Sequence, residues 1–276
     1  MIGWLQRLVR NARAPAPIPP DLWAGTLRDY PFLAAIEPPE LQARLRRLSE
    51  HFLARKEFHG VGEVQVSDAM AVAIAAQACL PLLYRAPADR PEQELHWYDD
   101  FVGIVVQAAS VRARRSVQDE IGVVHEYQEE LSGEAQDGGP VMLSWDAVAE
   151  AGKTAAEGYN VVIHEFAHKI DLCDGLADGC PPLPPGFMGH ARAADARAAW
   201  HRLFGSAADT FAQQVEGAER FPGMIQAPWL DSYAAQSPVE FFAVLTEAYF
   251  VNPERVALEF AALMPWLDAF FRPDRR

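Results

Sequence analysis

Cysteine is scarce in this sequence: Cys79, Cys173 and Cys180 are the only three among 276 residues. So odd and sparse a supply argues against a disulfide scaffold and suits a reducing compartment, which makes the cytoplasm the expected location. Long apolar runs are missing too. No stretch reaches the roughly 18 residues of a membrane span, and the most apolar one, Ala69 to Leu83, is interrupted by Pro81. Positive charge is in deficit, with 24 Lys and Arg against 38 Asp and Glu and a net charge of −14. That field repels polyanions and argues against nucleic acid as a partner. Residues 1–13 carry Arg7, Arg10 and Arg13 but lack the uninterrupted apolar run of about 7–15 residues that a secretory leader needs. They are expected to form a helix.

Half of the residues are hydrophobic, enough to bury a sizeable core. Residues 14–20, Ala-Pro-Ala-Pro-Ile-Pro-Pro, read as an extended connection. The expected organisation is an N-terminal helix and Pro-rich linker over 1–21, followed by one domain over 22–276. From Pro39, the spacing of Leu41, Leu45, Leu48 and Phe52 predicts a helix with one core stripe. Ser67-Asp68 offers a cap to the segment Ala69–Leu80, which is apolar all round and therefore predicts a buried helix. Strands are expected over Phe101–Gln107, Ile121–Tyr127 and Val141–Trp145, with turn chemistry from Gly133 to Pro140. After Gly158 the chain reads as mostly helical, with Pro-rich breaks at 181–185 and near Pro222 and Pro228. A last amphipathic helix is expected from Asn252-Pro253 through Leu258, Phe260, Leu263 and Leu267. The fold class implied is α+β, helices packed on a small sheet.

The chemistry concentrates in Tyr159-Asn-Val-Val-Ile-His-Glu-Phe-Ala-His-Lys-Ile-Asp171. His164 and His168 are four residues apart, so on a helix both imidazoles project from one face towards one ion. Glu165, beside them, is placed to take a proton from water, whose acidity a metal raises. The bland alternative is a helix with two surface histidines. The apolar flank Val161-Val162-Ile163 and Phe166 speaks against it, because unpaired histidines on a buried helix are costly. Asp171 shares the face and is a candidate to steady a ligand ring. Cys173 and Cys180 lie near the helix end, but a site supplied with nitrogen and oxygen donors does not need thiolates.

A hydrolytic metal site takes a third protein ligand, and spacing leaves it open. Asp174 falls six residues after His168, but Asp171 stands where a bending glycine would be expected. Glu240 lies in Asp231-Ser-Tyr-Ala-Ala-Gln-Ser-Pro-Val-Glu-Phe-Phe-Ala-Val-Leu-Thr-Glu-Ala-Tyr-Phe250. There Ser237-x-x-Glu240 with Pro238 at the first helical position is equally well explained as a capping box. Glu247, seven residues later on the same face, is a further ligand candidate or a partner to a ligand.

Three segments, Gly139–Trp145, Gly158–Asp171 and Ser232–Phe250, together with Cys79-Leu-Pro-Leu-Leu83, resemble the Mlc titration factor A family of zinc peptidases. The likeness runs through nearly the whole chain and extends to the anthrax lethal factor catalytic domain. It implies a zincin-like fold of gluzincin type and one zinc ion on His164, His168 and Glu240. Glu165 would be the general base and Tyr233 a catalytic-site residue donating to the oxyanion. It further implies aminopeptidase-like hydrolysis of peptides and an interaction with a sugar-responsive transcriptional repressor. A chain acting chiefly by sequestering that repressor is the alternative. The stretch from Leu172 to Trp229 is longer than the family pattern, and its Pro- and Gly-containing parts, 175–189 and 205–228, are expected to be surface insertions.

Overall fold

Three helices open the described chain: α1 (Pro20–Asp29), α2 (Pro31–Ala34) and α3 (Pro39–Arg55). In α3 the expected stripe is real, with Leu45, Leu48 and Phe52 fully buried. Ile18, ahead of α1, is also buried, and its N–H donates to Glu50 Oε1 of α3 at 2.8 Å. Strand β1 (Glu57–Gly60) follows, then α4 (Asp68–Cys79), whose Ser67 cap accepts from Met70 N. Every residue from Met70 to Cys79 is buried, as its all-round apolarity predicts.

The computed structural model describes residues 15–108, 112–118, 124–130 and 138–273. The expected helix over 1–13, the first residues of the strand expected from Ile121, and most of the turn expected from Gly133 lie outside them. Strand β2 (Gly103–Gln107) is the middle of a three-stranded parallel sheet, flanked by β1 and by β5 (Val141–Ser144). Between β2 and β5 the chain forms an antiparallel pair, β3 (Arg112–Gln118) with β4 (Val124–Glu130). Sheet and helices together give the α+β class. The strand expected to run to Trp145 stops at Ser144, where helix α5 (Trp145–Thr154) begins.

Helix α6 (Val161–Asp171) carries the His-Glu-x-x-His motif and packs against α4, β5 and α8 (Pro238–Val251). Its rear is held by Phe166, which meets Tyr98 edge-on with ring centroids 4.8 Å apart and also touches Phe52 and Phe101. Burial of one such ring contributes about 1.5–3 kcal/mol. Lys169, fully buried, reaches Asp100 Oδ2 at 3.1 Å and the Gly139 carbonyl at 3.0 Å, tying the helix to the loop before β5. Gly158, at φ +85, turns the chain into α6, and a Cβ there would meet the Trp229 ring at 2.9 Å.

Residues 205–220 form the second half of α7 (Ala193–Arg220), a 28-residue helix that ends before Pro222, in keeping with the mostly helical reading and the break expected there. Gly205 faces open space within it, so the helix tolerates a residue that in sequence reads as a breaker. The final helix is two, α9 (Pro253–Glu259) and α10 (Met264–Phe271), because Pro265 lacks the N–H and fits only the first turn of a new helix. One hydrophobic cluster joins Ile18 to Phe271. Among the described residues, no helix is long and apolar enough to cross a membrane.

Candidate metal centre

Asn160 starts α6: its Oδ1 accepts from Ile163 N at 2.9 Å, supplying one of the partners that a helix's first N–H groups lack. One turn on, His164 and His168 project together. Their Nε2 atoms are 3.0 Å apart and their rings meet edge-on. Glu240, in the first turn of α8, completes the group, with Oε2 3.2 Å from His164 Nε2 and 3.4 Å from His168 Nε2. Its backbone N–H donates to the Ser237 hydroxyl at 3.2 Å. Cap and convergence therefore coexist, since the cap uses the main chain and leaves the carboxylate free to turn inward.

These three are the one group of metal-competent side chains found among the described residues. Four ligands arranged tetrahedrally at about 2.0–2.1 Å from an ion stand roughly 3.3 Å from one another. The observed separations of 3.0, 3.2 and 3.4 Å bracket that figure. Glu240 Oε2 is buried and makes no hydrogen bond of good geometry, as expected of an atom whose lone pair is aimed at a shared point. The residues present fit a divalent cation.

Behind this group, His164 Nδ1 donates to Glu247 Oε1 at 2.6 Å, and Glu247 Oε2 accepts from Asn160 N at 2.6 Å. Glu165 is buried, with Oε1 unpartnered, and burial pushes its carboxyl up to about 7. Burial alone would also raise Glu240, but the adjacent His164 and His168 rings hold it down at about 2. The site thus keeps one carboxylate ionised and another able to exchange a proton near neutrality. Tyr233, in a short turn over Ser232–Ala235, sets its ring 5.9 Å from that of His164.

The other residues weighed in the sequence make contacts outside this group of three. Asp174 pairs with Arg197 at 2.7 Å and caps Leu176 N. Asp171 is buried, and its Oδ2 accepts from Gly179 N at 2.9 Å, so it anchors the loop after α6. Cys173 Sγ contacts the carbonyls of Trp97 and Lys169, and Cys180 is buried away from the group. Sequence reasoning overlooked Asn160, although an Asn immediately before an apolar helical run is a cap signal.

Two kinds of comparison agree. The family described as glucose-regulated metallo-peptidase M90 matches residues 4–272. The Mlc titration factor A of Salmonella arizonae is 32% identical over 254 residues, covering 92% of this chain and 91% of that protein. That of Cronobacter sakazakii is 30% identical over 275 residues, covering 99% and 92%. The resemblance drawn from the quoted segments is thereby established.

Proposed function

The chain belongs to the glucose-regulated metallopeptidase family M90, and on that premise we propose that it is a zinc-dependent peptidase with an aminopeptidase-like action on peptides. The observation that carries the reading is the convergence of His164, His168 and Glu240 beside the unpartnered carboxyl of Glu165. Two imidazoles and one carboxylate are a donor set suited to zinc, with a position left for water. When bound, the ion supplies Lewis acidity, acidifying water and polarising a carbonyl. Glu165 takes a proton from the attacking water as its oxygen bonds to the carbonyl carbon. The same carboxyl then delivers that proton to the amine as the C–N bond breaks, a dual role suited to a group poised near neutrality. The Tyr233 hydroxyl donates to the developing oxyanion. Glu247 orients His164, and Asp171 holds the loop behind the helix. In this reading residues 22–276 act as one catalytic unit of zincin-like, gluzincin type, working in the cytoplasm.

The name of the relatives, Mlc titration factor A, favours a second reading, capture of a transcriptional repressor akin to Mlc. The substitution Glu165→Gln separates the two. Hydrolysis of amino-acid p-nitroanilides should fall at least about 100-fold, with zinc content and repressor binding unchanged. Undiminished hydrolysis would remove Glu165 from the mechanism.

A further inference from the structure

Gln77 is the single polar residue in the span Ala69–Leu80, and it is wholly shut off from solvent. A buried amide in an otherwise apolar helix is costly unless each of its groups is paired. Every one of its pairings has a direction. Its Nε2 donates to the Ala73 carbonyl at 3.1 Å, and a carbonyl can only accept. The amide nitrogen is thereby committed, and Oε1 must be the atom that faces Asn160.

Gln77 Oε1 accepts from Asn160 Nδ2 at 2.8 Å. The Asn160 amide therefore cannot flip, and its Oδ1 remains on Ile163 N as the helix cap. So held, Asn160 keeps its extended backbone, φ −157 and ψ 99, and its N–H meets Glu247 Oε2. The other Glu247 oxygen then takes the Nδ1–H of His164, which turns Nε2 towards His168 and Glu240. A continuous chain of hydrogen bonds runs from α4 to the candidate ligand.

We propose that Gln77 is a positioning residue for the metal centre, acting through Asn160 and Glu247 on the ring of His164. The proposal rests on the reading of His164 as a ligand. Met is close to Gln in length but neither donates nor accepts as an amide does, so Gln77→Met cuts the chain at its origin. Asn160→Ser cuts the same link while keeping a good cap and the backbone N–H that meets Glu247.

Two measurements test it. In the 1H–15N spectrum of the metal-free protein, wild type should show a downfield, slowly exchanging His164 Nδ1 proton, assigned by its loss in His164→Asn. Gln77→Met and Asn160→Ser should both broaden or lose it. In zinc titrations against a chromophoric competitor, each variant should bind about 10-fold more weakly, the scale expected for groups behind a ligand. Because the two changes cut one chain, the double variant should also lose about 10-fold rather than about 100-fold. A protected Nδ1 proton in either folded variant, or additive losses, would overturn the proposal. Lowered thermal stability with an unchanged Nδ1 signal would mean that Gln77 only packs. If Gln77→Met fails to fold, Asn160→Ser alone decides through the same proton. A wild type with an intact Nδ1 signal and no zinc binding would instead overturn the metal reading, and with it the claim that Gln77 positions a ligand, whatever the two variants do to the proton signal.

Discussion

Asp171 offers a test that needs no substrate. Its carboxylate is buried, only one of its oxygens is hydrogen-bonded, and burial pushes its pKa from 3.8 up to about 7 despite the bond from Gly179. Between pH 4 and pH 7 the unfolded chain has lost this proton and the native chain still holds it. The native state binds more protons there, so stability falls as pH rises through that window and levels off above it. From pH 5 to pH 8 about two pH units of the window are crossed, which at 1.36 kcal/mol per unit costs about 3 kcal/mol. Asp171→Asn removes the titration while keeping an oxygen for Gly179. Relative to wild type, the variant should therefore gain about 3 kcal/mol between pH 5 and pH 8. At an m-value of about 3 kcal/mol/M, the urea midpoints should diverge by about 1 M. Unfolding both proteins in urea across that range cancels the titration they share. A flat difference, or a variant that loses ground with rising pH, would show that the Asp171 carboxylate is not strained by burial.

Three further substitutions probe the site and its frame. Glu240→Gln should weaken zinc binding at least about 100-fold, since groups merely behind a ligand already give 10–100-fold. The metal-free variant should still fold, because Ser237 caps the Glu240 main chain and not its carboxylate, but with a lower thermal midpoint at neutral pH than wild type, since the two histidines no longer face a carboxylate there. Tyr233→Phe should lower kcat by about 100-fold with KM nearly unchanged, the pattern of a contact made only in the transition state; a rise in KM alone would assign Tyr233 to substrate binding. Gly179 has φ +76, and a Cβ there would lie 2.3 Å from the Pro238 carbonyl oxygen. Gly179→Ala should therefore destabilise the fold by more than about 2 kcal/mol, read as a lower thermal midpoint.

What sequence reveals here follows the range over which each signal acts. The α3 stripe and the apolar α4 are repeating patterns within one element, and both emerge as read. Strand β1 has no such pattern, since only Phe58 of Glu57–Gly60 is even partly buried and three of its residues are exposed. It is a strand because β2 lies alongside it. Gly205 and Gly217 lie inside α7, where the many alanines and the buried Trp200, Phe204, Phe211 and Val215 outweigh two glycines.

The same distinction divides the candidate site. His164, Glu165 and His168 were legible because one helical turn sets their spacing, and Glu240 was ambiguous because its main chain and side chain do different things. Local pattern sees only the cap, while the carboxylate's orientation depends on α8 packing against α6. Gln77 was invisible for a stronger reason. In sequence it is a lone amide in an apolar helix, and Asn160 and, through Asn160, Glu247 come from other elements or their caps. A buried polar group whose side-chain partners are tertiary leaves no periodic trace, yet its burial demands those partners. Polar residues inside otherwise apolar helices are therefore where a sequence such as this one withholds most about its site.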